Sequence, residues 1–303
     1  LILFMTGYYM SSFIELDPSR SHYETFVDKG LDNCNCAVPS RTQKVPKILH
    51  YVYVNEDPDN LPFDFVHWLA MTSAIETIKP EKTYFHCIYE PKSYWYQLIK
   101  PKLSIRETRI VTEIFGNPVQ VLQHKSDVIR MEVLRDFGGI YLDIDIIVFQ
   151  PFDDLLYDDF TMGIEEAWEQ FLCNAVIISR PFAPFLTRWI QGYKNFDDSN
   201  WNSHSTRLPY QMSKEYSYDI HVLNKTAFFW PTWLEEHLQL VFKSNDYNFS
   251  NQYAYHMWAV KSYNETLRNL SPITIKNVET SFNRAVRKFL KYLPKNFSEE
   301  IAE

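Results

Sequence analysis

The segment that most restricts the fold is Ile140–Phe149, an almost unbroken apolar run interrupted by only two charges, Asp143 and Asp145. A strand that is apolar on both sides belongs inside a sheet covered on both faces, the usual setting of a parallel strand between layers of helix. Just before it, Ser126–Phe137 reads as a helix. Ser126 stands as its N-cap, Asp127 favours the positive end of the dipole, and Val128, Met131 and Leu134 follow helical spacing until Gly138-Gly139 stops it. Upstream, Lys47–Val54 and Thr83–Tyr89 read as strands, with helices near Phe65–Lys79 and Tyr94–Lys100. Strands alternating with helices predict a doubly wound, mostly parallel α/β sheet flanked by helices.

If Ile140–Phe149 is one strand, the twofold alternation of side chains puts Asp143 and Asp145 on one face, with Leu142 and Ile144 on the other. Two carboxylates on one face of an apolar strand repel and lack solvation, and a hard divalent cation, Mn²⁺ or Mg²⁺, satisfies them. Spacing alone proves little. Asp57-Pro58-Asp59 has the same Asp-X-Asp pattern within a polar, proline-containing stretch, and there it reads as a turn. What sets Asp143/Asp145 apart is the preceding helix, which carries Asp127 and Arg130 on one face at i, i+3, and the double glycine.

Composition closes off some alternatives. The formal net charge is −8 and no run of Lys and Arg is present, which argues against a nucleic-acid partner. Aromatic residues make up 17%, enough for aromatic-lined clefts, although an aromatic-rich core accounts for them as well. Residues 1–16 are apolar but too short to span a bilayer and read as the remnant of a signal anchor; residues 17–44 read as a stem or linker, and 45–303 as a single catalytic domain. Five sequons, at Asn224, Asn248, Asn264, Asn269 and Asn296, suit a lumenal setting. Cys34, Cys36, Cys87 and Cys173 allow three full pairings, and their spacing selects none.

The block from Ser126-Asp127-Val128-Ile129-Arg130 through Gly138-Gly139-Ile140-Tyr141-Leu142-Asp143-Ile144-Asp145 resembles the signature of the DXD-containing "sugar-binding region" glycosyltransferases. That family includes the yeast initiating α-1,6-mannosyltransferase and the animal α-1,4-galactosyl- and N-acetylglucosaminyltransferases, with the glucosylating clostridial toxins more distant. Further matches are Val45-Pro46-Lys47-Ile48-Leu49-His50, Asn174-Ala175-Val176-Ile177-Ile178-Ser179 with Pro184-Phe185, and Tyr255-His256-Met257-Trp258.

The resemblance implies a GT-A fold, a nucleotide-sugar donor, Mn²⁺ and retention of anomeric configuration. It assigns Asp145 and Asp143 to the metal, Asp143 also to the donor ribose and sugar, and His256 to the metal or diphosphate. Asp127 and Arg130 would bind donor hydroxyls, and His50, Tyr51, Tyr53, Gly139 and Tyr141 would line the donor pocket. Glu165, Glu166 and Asn174 are candidates for the acceptor side, which would take a glycan or glycolipid; UDP-hexose is favoured over GDP-mannose as donor. The setting implied is the Golgi lumen, as a type II membrane protein. Two departures stand out. The downstream Thr-Gly-Pro element is absent, with Ser205-Thr206-Arg207-Leu208-Pro209 in its place, and Phe228-Phe229-Trp230-Pro231-Thr232-Trp233 matches no signature. Those aromatics read as core in preference to an acceptor platform. An inactive carbohydrate-binding or scaffold relative, and a metal-dependent phosphoesterase, are the rival readings.

Overall fold

In a computed structural model of the chain, residues 42–295 and 297–298 are described. The strands are β1 (Ile48–Tyr53), β2 (Lys82–Cys87), β3 (Ser104–Glu107), β4 (Glu113–Ile114), β5 (Asn117–Pro118), β6 (Gly139–Leu142), β7 (Ile146–Val148), β8 (Phe160–Glu166), β9 (Gln170–Ser179), β10 (His221–Leu223) and β11 (Ala254–His256). The α-helices are α1 (Phe65–Ile78), α2 (Tyr94–Ile99), α3 (Leu122–Phe137), α4 (Pro184–Gly192), α5 (Leu208–Glu215), α6 (Glu235–Phe242), α7 (Ala259–Ser262), α8 (Pro272–Asn277) and α9 (Ser281–Val286). The proposed signal-anchor remnant and most of the stem, together with Cys34, Cys36 and Asn296, lie outside the described residues.

Seven strands form the central sheet in the order β10-β8-β9-β6-β1-β2-β3. All neighbours are parallel except β9, which runs antiparallel to both β6 and β8. The expected mostly parallel α/β sheet flanked by helices is what the chain builds. One side of the sheet packs on α1 and α2 through Tyr51, Phe85, Trp68, Leu69 and Tyr96; the other packs on α3 and α4 through Val128, Leu134, Tyr141, Phe160 and Trp189. Helix α1 begins where Asp64 caps it, the Asp64 carboxylate accepting the Val66 N–H at 3.2 Å and His67 Nδ1 accepting the Asp64 N–H at 3.1 Å.

Two local expectations change. First, α3 starts at Leu122, so Ser126 lies inside the helix and caps nothing. The amides of Gln120 and Val121 at the helix start are taken by Asp198 Oδ2 at 2.9 and 3.2 Å, while the Ser126 hydroxyl accepts from Arg130 one turn later at 3.1 Å. Second, Ile140–Phe149 is not one strand. β6 ends at Leu142, a turn occupies Asp143–Asp145, and β7 leaves the main sheet to pair antiparallel with β11. The Asp143 N–H still reaches Ala175 O at 2.9 Å, and the Ile146 N–H closes the turn on Asp143 O at 3.2 Å. The apolar run is continuous because β7 is buried beneath α1, not because the strand is. The two aspartates therefore converge across a turn and not through strand alternation.

The glycine pair before β6 is dictated by sterics. Gly138 and Gly139 have φ of +62° and +108°, and a Cβ on Gly139 would stand 2.6 Å from Ile48 Cγ1 and 2.7 Å from Ile48 O. Of the four cysteines, Cys87 and Cys173 are buried and free.

Candidate functional site

Register builds the centre. Antiparallel pairing sets His256 of β11 opposite Ile146, the residue after Asp145, and so brings the imidazole onto the turn. His256 Nε2 lies 3.2 Å from Asp145 Oδ2. The same oxygen accepts the Ala259 N–H at 2.9 Å, and the Asp145 carbonyl accepts the Met257 N–H at 3.0 Å, so Asp145 is fixed at both ends. Trp258, in the left-handed region at φ +57°, packs against His256 with ring centroids 4.1 Å apart and the planes tilted by 39°. Burial opposes ionisation of both partners, but each outweighs it for the other: His256 and the Ala259 amide hold the Asp145 carboxyl below its ordinary range, and Asp145, then Asp143 and Glu165, raise the imidazole.

Asp143, Asp145 and His256 each offer a ligand atom, all within 4.8 Å of one another. A six-coordinate hard cation with bonds of about 2.0–2.1 Å sets its ligand atoms roughly 3–4 Å apart, so this trio fits Mn²⁺ or Mg²⁺ with small adjustments. His256 Nδ1 is buried without a hydrogen-bond partner, a further sign that the ring is held for something other than core packing.

Behind the turn lies a second, buried network. Arg130 Nη2 sits 3.4 Å from Asp127 Oδ1 and 3.3 Å from Asp143 Oδ1, Nη1 donates to the Asn174 carbonyl at 2.9 Å, and the guanidinium lies 4.5 Å from the Tyr141 ring centre. The Tyr141 hydroxyl donates to Asp143 Oδ1, and Asn174 Nδ2 donates to Asp127 Oδ1 at 2.7 Å. Burial alone would weaken the Arg130 cation, but Asp143, Tyr141 and Asp127 more than restore it. At Asp127 burial wins, and its carboxyl is raised above the ordinary range despite Arg130, His124 and Asn174. Arg130 thus joins the two groups of carboxylates into one site.

The remaining candidates separate. His50 has no exposed surface; its Nε2 is 2.9 Å from Gly138 O and its Nδ1 3.0 Å from His86 Nε2, so both ring nitrogens are engaged away from the turn. Tyr51 and Tyr53 face the core under α1 and α2, Tyr53 donating to Pro62 O at 3.0 Å, and neither ring is open for stacking on a base. At Gly139 a side chain would meet Ile48 and His50, so the residue has a structural reason to be glycine. Asn174, expected on the acceptor side, is bound instead into the Asp127–Arg130 network.

Of the two glutamates, Glu165 shares its strand face with Gly163, which packs against Phe228 and Phe229, and Phe229 in turn meets His256 edge-on with ring centroids 6.1 Å apart. Glu166 points the other way and is taken up by Lys225 at 2.7 Å and Gln170 at 2.6 Å. Asp57 and Asp59 occupy an exposed turn, as expected, the Asp59 N–H donating to Asp57 Oδ1 at 3.0 Å.

Sequence reasoning missed three participants. Ala259 acts through its backbone and leaves no mark in the sequence. Trp258 appeared only as part of the His256 element. Trp233, read as core with its aromatic neighbours, is only half-buried and donates through Nε1 to Glu165 Oε1 at 2.9 Å, whereas Phe228 and Phe229 are core.

The acidic cluster thus follows β6, a strand parallel to β1 in the α/β sheet, at the carboxyl end where ligand crevices of such sheets lie, and His256 of β11 closes over it. The sequence model of the family described as "Glycosyltransferase sugar-binding region containing DXD motif" matches residues 32–161. Glucan organizing enzyme 1 of Cryptococcus neoformans var. grubii is 39% identical over 260 residues, 81% of this chain and 71% of that protein. The chain belongs to the DXD-containing glycosyltransferase family and is a glycosyltransferase. Mannosyl phosphorylinositol ceramide synthase SUR1 of Saccharomyces cerevisiae is 24% identical over 197 residues, 65% of this chain and 46% of that protein, so the chain spans less than half of this relative's length. Among solved structures, the galactosyltransferase LgtC in complex with donor and acceptor sugar analogs matches at TM-score 0.39 and 13% identity, over 83% of this chain and 98% of that one. The glycosyltransferase GlyE of Streptococcus pneumoniae matches at TM-score 0.48 and 10% identity, over 84% and 66%. Among the described residues, no helix is long and apolar enough to cross a membrane.

Proposed function

We propose that the chain is a divalent-metal-dependent, retaining hexosyltransferase that takes a UDP-hexose in preference to GDP-mannose and glycosylates a glycan or glycolipid. The observation that carries this reading is the convergence of Asp143, Asp145 and His256, with Arg130 buried directly behind Asp143. Asp143, Asp145 and His256 would hold the cation, Mn²⁺ or Mg²⁺. When bound, such a cation offsets the charge that grows on a departing nucleoside diphosphate.

The protein groups do the rest. Tyr141 and Arg130 fix Asp143 in one orientation, while Asp127, tied to Asn174 and Arg130, would offer its carboxyl to donor hydroxyls. Glu165, on the strand face toward His256, supplies a carboxylate to the sugar and acceptor side. A retaining, front-face path needs no protein nucleophile, and none of these groups is assigned that role. Exposed Asn224, Asn248, Asn264 and Asn269 suit a lumenal protein, and we place it in the Golgi lumen as a type II membrane protein.

The test is Mn²⁺-dependent donor hydrolysis across a panel of UDP- and GDP-sugars, comparing the wild type with Asp145→Asn. Turnover of a UDP-hexose that the substitution abolishes supports the reading. A wild type that turns over no donor, or a variant that matches it, overturns it.

A further inference from the structure

The loop joining β8 to β9 is short: Glu166 pairs with Gln170, leaving Ala167-Trp168-Glu169 at the tip. Trp168 is 77% exposed, an unusual cost for a large apolar side chain with no part in either core cluster. Its ring stands perpendicular to Trp233, at 88° and 4.7 Å between centroids, so the two indoles make an aromatic corner. The corner is joined to the active centre, because Trp233 Nε1 donates to Glu165 Oε1 at 2.9 Å and Glu165 lies on the face of β8 that leads to His256. Lys261 Nζ lies 5.6 Å from the Trp233 ring centre, which occupies that indole and leaves Trp168 as the open wall.

We propose that Trp168 and Trp233 form the acceptor subsite and that the acceptor presents a pyranose ring there, its apolar face on Trp168 and a hydroxyl toward Glu165. This rests on the glycosyltransferase reading above and adds to it the chemical class of the group that receives the sugar. A pyranose matches the corner because it combines a face of C–H bonds with a rim of hydroxyls, as the site combines an exposed indole with a carboxylate. An acyl chain in the same place would leave Glu165 desolvated and unpaired on its open side. Trp233 acts here as a positioning residue, orienting Glu165 through its N–H.

The experiment measures transfer from the UDP-hexose that the wild type hydrolyses to a panel of methyl hexopyranosides and their disaccharides, with KM and kcat determined separately for donor and acceptor. Trp168→Ala is expected to raise acceptor KM about tenfold, the worth of one aromatic stacking contact, with donor KM within about twofold. Trp168→Phe restores most of the loss. Trp233→Phe keeps the ring but removes the N–H, and lowers kcat more than it raises acceptor KM. The proposal is overturned if Trp168→Ala leaves acceptor KM within about twofold, or if a donor-hydrolysing wild type accepts no sugar in the panel. It is also overturned if the variant changes only binding to phosphatidylcholine–phosphatidylglycerol vesicles, which would make Trp168 a membrane contact. A wild type without donor hydrolysis defeats the underlying glycosyltransferase reading as well, and so is told apart from failure of the subsite alone.

Discussion

Asp57-Pro58-Asp59 and Asp143-Ile144-Asp145 share a spacing, and in the folded chain both occupy turns. They differ in what lies over them. Asp57 and Asp59 are exposed and bond within their own loop. Asp143 and Asp145 are enclosed by an imidazole from β11, an amide from α7 and a guanidinium from α3. An Asp-X-Asp spacing is therefore no ligand set by itself; distant segments folding over the turn make it a candidate for one.

The largest effect expected from that contrast is on Asp145. Asp145→Asn removes a charged ligand and the partner of His256, and should lower donor turnover about 10³-fold, equivalent to losing about 4 kcal/mol of transition-state stabilisation. Asp57→Asn in parallel assays is the matched control, and a comparable loss there would break the comparison.

Next comes Arg130. Replacing it with Met leaves the carboxylates of Asp127 and Asp143 without their buried cation, and thermal or denaturant unfolding should show a loss of about 3–5 kcal/mol. A variant as stable as the wild type would show that the network is not held together by charge.

A third prediction concerns His50 and its neighbour His86, buried away from the turn. Burial lowers His50 to about 4 and His86, with His50 and Arg106 adding to the effect, to about 3, whereas an unfolded histidine titrates near 6.5. The unfolded chain therefore binds protons that the folded chain refuses. The stability this pair contributes is complete above about pH 6.5 and falls as pH drops toward 4, by up to about 3 kcal/mol for His50 alone. Denaturant melts between pH 7 and 4.5 with wild type and His50→Phe should show a shallower decline in the variant, and equal slopes would refute it.

The smallest effect is expected at Glu166, which points away from the site: Glu166→Gln should leave donor turnover within about twofold, since an exposed ion pair such as that with Lys225 is largely screened by solvent. Glu165→Gln should lower transfer to acceptor clearly more. Similar losses in the two variants would mean that β8 does not sort them.

Much of this was legible in the residues themselves. Strand–helix alternation predicted the sheet, Gly138-Gly139 marked the end of α3, and Asp127, Arg130, Asp143 and Asp145 do form one site. Other features depended on partners far along the chain. The start of α3 is capped by Asp198, 78 residues from Gln120, so a local reading placed the cap at Ser126. The break after Leu142 was hidden because β7 is as apolar under α1 as a sheet strand would be. His50 and the β1 tyrosines were assigned to the donor pocket because the resemblance weighs the strand as a whole, whereas burial directs those side chains into the core.

The central claim is that the Asp143-Ile144-Asp145 turn is a metal site and the Asp57-Pro58-Asp59 turn is not. Mn²⁺ binding followed by electron paramagnetic resonance, with UDP present, tests it most directly in the wild type, Asp145→Asn, His256→Ala and Asp57→Asn. The account predicts one bound Mn²⁺ that is retained in Asp57→Asn and lost or severely weakened in Asp145→Asn and His256→Ala. Unchanged binding in Asp145→Asn, or loss in Asp57→Asn, would contradict it.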